Sequence, residues 1–117
     1  DLTNKMAFTP YHNIVGSTAQ DNELVAVNDI SRKVIKSIQI TNIHDSDAAT
    51  IDLYIFKDST DAASSETYYF LKGTSIPIKV SLVLDNPYLL NFDNTSTGYS
   101  LYINVGSSDT VDVMIRT

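Results

Sequence analysis

The stretch Val34-Ile-Lys-Ser-Ile-Gln-Ile-Thr-Asn-Ile43, followed by the polar His44-Asp45-Ser46-Asp47-Ala48 and then Ala49-Thr-Ile-Asp-Leu-Tyr-Ile-Phe56, decides the fold class. In the first half Ile38 and Ile40 share a side, with Gln39 and Thr41 between them. In the second half Ile51, Leu53 and Ile55 share a side, with Asp52 opposite. Alternation with a period of two is the mark of a strand buried on one face. The two runs are therefore expected to form a hairpin with a core face.

Working outward, the same pattern returns. Leu101, Ile103 and Val105 alternate with Ser100, Tyr102 and Asn104. After Gly106-Ser107-Ser108-Asp109, Val111, Val113 and Ile115 alternate with Asp112, Met114 and Arg116, which reads as a C-terminal hairpin. Between these pairs lie Thr67–Leu71, with large residues on both sides and a stop at Lys72-Gly73, and the Val80, Leu82, Leu84 alternation. Pro77, lacking an amide donor, belongs at a strand start or an edge. Polar segments at Lys57–Glu66 and Asp93–Gly98 read as exposed loops, and Asn86-Pro87 as a turn. Glu23–Val27 is a short strand ended by Asn28-Asp29. Arg32, Lys33 and Lys36 form a basic cluster, read as a solvated strand edge. The sum is an all-β chain: a single β-sandwich, jelly-roll or Ig-like, of about eight antiparallel strands. Residues 1–22 show no clean period and are read as an extended N-terminal arm, with the sandwich domain spanning 23–117. Phe8, Tyr11 and Ile14 are the arm's expected anchors on a protein partner, because large apolar side chains dominate interface energetics. Packing of the arm along its own sandwich is the alternative.

Composition narrows the function. With 117 residues there is room for one core and not two. The absence of cysteine removes disulfides and thiolate metal sites. A net charge of −6, from 8 Lys and Arg against 14 Asp and Glu, opposes binding to phosphate backbones, so nucleic acid is not an expected partner. No apolar run approaches the roughly 20 residues of a spanning helix, and the first residues carry neither a basic nor an apolar leader pattern. A soluble chain with no membrane partner is expected.

Chemistry is sparse. His12 lies in the arm and His44 in a loop beside Asp45 and Asp47, with no Gly-x-Ser-x-Gly elbow in the chain. His44 reads as a solvated loop residue, and no enzyme is expected. Asp45-Ser46-Asp47 and Asp58-Ser59-Thr60-Asp61 gather hard oxygen ligands without the Gly and bidentate Glu of a calcium loop. No metal or cofactor is expected. Asn94-Thr95-Ser96 matches a glycosylation sequon. Seven Tyr and four Phe with no Trp are expected at edges and loop ends. Tyr54, Tyr68, Tyr69, Tyr99 and Tyr102 are also candidates for a sugar-stacking platform, against the plainer reading of cross-strand aromatic pairs.

Two segments carry a family resemblance: Lys36-Ser-Ile-Gln-Ile-Thr-Asn42 leading to Thr50-Ile-Asp-Leu-Tyr-Ile55, and Ile76-Pro-Ile78 through Leu82-Val-Leu-Asp85 to Tyr99-Ser-Leu-Tyr-Ile103. Together they resemble small β-sandwich virion structural proteins of tailed bacteriophages, especially cyanophages and other marine phages. The resemblance spans residues 36–115 and brings no catalytic residues. It implies a virion protein, soluble before assembly. A capsid decoration (cement) protein that binds and stabilises the outer capsid surface is the first expectation. Its partners would be the major capsid protein or other virion proteins, and it would act as a homo-oligomer, a trimer by preference. Neck, tail or baseplate accessory proteins are the alternative location, and a carbohydrate-binding module using Tyr68, Tyr69 or Tyr99 is the alternative function.

Overall fold

A computed structural model describes residues 8–30, 33–58 and 65–117. Eight strands are present among them: β1 (Tyr11–Val15), β2 (Asp21–Val25), β3 (Ser37–Asn42), β4 (Ala49–Lys57), β5 (Glu66–Ile76), β6 (Ser81–Leu84), β7 (Ser100–Val105) and β8 (Thr110–Arg116). They form two four-stranded sheets, β1-β8-β3-β6 and β2-β7-β4-β5. Within them β1 pairs with β8, β2 with β7, β3 with β6 and β4 with β5, all antiparallel. The chain is thus one long antiparallel ribbon, doubled back between β4 and β5 and rolled into two layers. That order is the jelly-roll order.

The alternation read from the sequence decides which side of each strand is buried. Ile38 and Ile40 of β3, Ile51 and Leu53 of β4, Leu101, Ile103 and Val105 of β7 and Val111, Val113 and Ile115 of β8 are at most 1% exposed and belong to one core. The core is aliphatic. Periodicity is silent about which strands pair, and there the structure departs from the sequence reading. β3 and β4 lie in opposite sheets, as do β7 and β8, so neither expected hairpin exists. Both connections cross from one layer to the other; a strand with one apolar face satisfies that face equally well from either layer. The hairpin that does form is β4–β5.

Further differences have local causes. β5 does not stop at Lys72-Gly73. Gly73 adopts φ 59°, and Lys72 and Gly73 together oppose Asp52 in a bulge. A left-handed residue in a bulged strand favours glycine, which has no Cβ to clash. Asp52 Oδ1 accepts the Gly73 amide at 2.6 Å and fastens the bulge. In β2 the register shifts between Glu23 and Val25, which lets the consecutive Leu24 and Val25 both face the core. The basic cluster is not on an edge strand: β3 lies between β8 and β6, Lys33 and Lys36 are exposed in the segment before it, and Arg32 falls outside the described residues. Within the segment read as an arm, residues 11–15 are the first strand of the sandwich and 21–22 open the second. The alternative of packing along its own sandwich is therefore what residues 8–22 do.

Two buried asparagines hold the layers' connections. Asn42, 0% exposed, donates from Nδ2 to the carbonyls of Asp47 at 2.9 Å and Ile76 at 3.0 Å, and its Oδ1 accepts the His44 amide at 2.9 Å. It joins the end of β3 to the end of β5 across the sandwich. Asn94 donates to the carbonyls of Ala26 at 3.0 Å and Tyr99 at 2.8 Å and accepts from the Ile30 amide at 2.8 Å. Buried polar side chains with full sets of partners of this kind fix loop paths as well as contributing stability.

Candidate functional site

The outer face of the sheet β2-β7-β4-β5 is where the chain collects its aromatic and acidic side chains. Tyr54 alternates with Leu53 and Ile55, and Tyr102 with Leu101 and Ile103, so both must point away from the core. The register then aligns Glu23, Tyr102, Tyr54 and Tyr69 in one row across four strands. The next row holds Asp21, Asn104 and Asp52. The Tyr54 and Tyr102 rings stack with centroids 5.7 Å apart and planes 9° apart. Tyr69 tilts against Tyr54 at 5.3 Å, and Phe56 meets Tyr102 edge to face at 6.1 Å.

Hydrogen bonds lock this surface. Asp21 Oδ1 accepts from the Tyr54 hydroxyl at 3.0 Å and from Asn104 Nδ2 at 2.9 Å. Burial, and then the bond to Asp21, hold the Tyr54 hydroxyl well above its ordinary titration range. Burial and the neighbouring Glu23 charge raise that of Tyr102. Lys72 Nζ lies 3.3 Å from Asp52 Oδ2 and 4.6 Å from the centre of the Tyr69 ring. Its ammonium is raised, chiefly by the hydrogen bond to Asp52.

Beside this row, Glu66 Oε1 accepts from Tyr99 at 2.7 Å and from Tyr68 at 3.1 Å. The Tyr99 bond and then the Tyr68 bond lower the Glu66 carboxyl, and the same pairing pushes Tyr99 up to about 12. Tyr68 and Tyr99 meet edge to face at 5.9 Å, and Lys57 Nζ lies over the Tyr99 ring. Of the five tyrosines considered for a platform, the fold brings Tyr54, Tyr69 and Tyr102 together and makes Tyr68 and Tyr99 a separate pair. Alternation alone placed Tyr54 and Tyr102 on outer faces. It could not make them neighbours, since they are 48 residues apart and meet only through the β4–β7 pairing.

The other candidates disperse. Tyr11 is 68% exposed on the edge strand β1, Ile14 is 4% exposed within the core, and Phe8 is half-buried against the core. Tyr11 is the anchor that remains at the surface. His12 bonds the Thr9 carbonyl at 2.9 Å. His44 Nδ1 accepts the amides of Ser46 at 3.1 Å and Asp47 at 3.2 Å, which ties the ring to its own loop. Asp61 lies outside the described residues; among those described, no three His, Asp or Glu side chains gather as metal ligands would. Asn94, the sequon residue, is 4% exposed with every side-chain polar atom engaged. Among the described residues no helix is long and apolar enough to cross a membrane.

One surface escaped the sequence reading. After β6 the turn Asn86–Leu90 leaves Tyr88 92% and Leu89 70% exposed, next to the half-exposed Val83. A trough of about 250 Å³ runs beside them, lined by Phe70, Val83, Leu84, Asp85, Asn86, Leu89 and Leu90. Of Tyr88–Phe92, a short apolar segment in the sequence, only Leu90 is buried and Phe92 half-buried. The signal was present in the Asn86-Pro87 turn, which keeps the residues after it from extending a strand. No protein-family model, curated protein or solved structure matches the chain.

Proposed function

We propose that this chain is a non-enzymatic structural protein of a tailed-phage virion, a decoration protein that binds the outer capsid surface as a homo-oligomer and reinforces contacts between capsid subunits. The observation that carries the reading is the Val83, Tyr88 and Leu89 patch with its apolar trough. Exposed apolar side chains clustered around a cleft mark protein-binding surfaces, and an aromatic residue seated in a partner's pocket is the commonest anchor of such interfaces. The family resemblance supplies the virion context. Its recurring letters also meet in space: the Thr41-Asn42 end of one segment holds the Ile76 carbonyl of the other. Jelly rolls recur in viral capsid domains as well as in lectins, an analogy of fold that adds to the resemblance without replacing a site.

The neck, tail or baseplate location uses the same surface and differs in copy number. The carbohydrate-binding reading is less favoured, because Tyr68 and Tyr99 are tied edge to face through Glu66, and Lys72 covers the Tyr69 ring.

The test is co-sedimentation of the purified chain with capsids and, separately, with tails of the phage that encodes it. Saturable binding to capsids is expected, lost in a Tyr88→Ser, Leu89→Ser double variant whose melting temperature is unchanged. Binding to tails alone would move the protein to the tail. Binding to neither would overturn the virion reading.

A further inference from the structure

On the outer face of β2-β7-β4-β5, two clefts adjoin through Phe56 and Tyr102. One, of about 250 Å³, is lined by Asp21, Tyr54, Phe56 and Tyr102. The other, of about 360 Å³, has Glu23, Phe56, Asp58 and Tyr102 in its lining. Among the described residues the lining therefore combines three aromatic rings with the Asp21 and Glu23 carboxylates and contains no Lys or Arg. We propose that this groove is a binding site for an arginine side chain on a basic segment of a partner polypeptide, gripped between the Tyr54, Phe56 and Tyr102 rings and the Asp21 and Glu23 carboxylates.

The protein shows the chemistry on itself. At the far end of the same aromatic row, Lys72 is held by the Tyr69 ring at 4.6 Å and the Asp52 carboxylate at 3.3 Å. Ring plus carboxylate is a combination that selects a cation over a neutral group: the ring's quadrupole attracts positive charge at its face, and the carboxylate adds a charge-assisted hydrogen bond. Tyr54, Phe56 and Tyr102 with Asp21 and Glu23 repeat that combination without a lysine of the chain's own, since among the described residues neither carboxylate is in an ion pair. Arginine fits better than lysine. Its planar guanidinium stacks on aromatic faces and forks onto carboxylates, and it sheds water more readily than an ammonium. The acidic balance of the whole chain, −6, draws basic segments toward the groove from a distance.

The groove is separate from the Tyr88 patch, so its occupant can be tested without particles. The full-length chain, labelled with nitrogen-15, would be titrated with an acetylated, amidated Gly-Arg-Gly-Arg-Gly peptide and with the same peptide carrying citrulline, the uncharged isostere of arginine. A neutral glucose oligosaccharide serves as a third probe. Saturable amide shifts at Asp21, Tyr54, Phe56 and Tyr102 are expected with the arginine peptide. They should weaken at least tenfold with citrulline and at least tenfold between 50 and 500 mM salt. Glu23→Gln, an exposed change that removes charge and little else, should weaken binding severalfold; Tyr102→Leu should do the same if its melting temperature shows it folded. Equal binding of the citrulline peptide, shifts mapping elsewhere, binding of the oligosaccharide alone, or no shift at millimolar peptide would each overturn the assignment.

Discussion

Replacing Asn42 by alanine removes one side chain that spans the two layers, and its cost can be worked from its bonds. Three hydrogen bonds are lost, to the Asp47 carbonyl, the Ile76 carbonyl and the His44 amide. Each is worth about 1 kcal/mol net, so the sum is about 3 kcal/mol. Unfolding entropy near 2.1 cal/mol/K per residue gives about 0.25 kcal/mol/K for 117 residues. The melting temperature should therefore fall by about 12 °C in differential scanning calorimetry. Thr41→Ala next to it is the control: it loses one exposed hydroxyl bond, to Ser81 at 2.7 Å, and should fall by no more than about 4 °C. If the two variants melted within a few degrees of each other, the claim that Asn42 joins β3 to β5 would be wrong.

Other expectations follow from the same geometry. Leu53→Ala, at a site 0% exposed, should destabilise by about 2–5 kcal/mol in urea titration, whereas Tyr88→Ser should change stability by less than about 0.5 kcal/mol. Gly16→Ala should cost more than Gly73→Ala: a Cβ on Gly16 would run into the Gly106 carbonyl, while one on Gly73 meets nothing and incurs only the positive-φ cost of about 1–2 kcal/mol. The folded-state carboxyls of Glu66 and Asp93 are lowered, Asp93 by the Thr95 amide and then its hydroxyl. Their stabilising effect is present above the unfolded carboxylate range and is lost as pH falls through the folded values. Glu66→Gln should flatten that acid limb in pH-dependent melts. The raised tyrosines act at the other end. Their contribution is complete below about pH 10 and declines as pH rises through the folded values, so Tyr99→Phe should reduce the alkaline slope. Expression in a glycosylating host should leave Asn94 unmodified by intact-mass spectrometry of folded protein, since its amide is buried and bonded.

Much of the sandwich was legible in the sequence, and the limits have identifiable causes. Parity along β3, β4, β7 and β8 named the core residues of those four strands apart from Ala49, because burying one face of a strand forces apolar side chains to every second position. Parity carries no information about partners. The His44–Ala48 and Gly106–Asp109 connections therefore looked like hairpin turns, though they carry the chain between layers. Gly73 resembled a terminator because a glycine in a bulge and a glycine in a turn satisfy the same backbone need. Ile14 reads as an arm anchor because one buried side chain in a five-residue strand is too short a signal for a period to emerge. Asn42 reads as the polar end of a strand and Asn94 as part of an exposed loop; their burial depends on distant backbone partners. For the aromatic row, Tyr54 and Tyr102 could be assigned an outer face from their alternation, but their stacking on each other follows only from the β4–β7 register. Deletion of residues 1–20, natural for a free arm, would remove β1 and expose the edge of β8, so it is not a clean probe of docking.

Quantitative mass spectrometry of purified particles of the phage proposed to encode this chain tests the central claim most directly. The account predicts the chain in particles at a simple fixed ratio to the major capsid protein. Its absence from intact, infectious particles would contradict it.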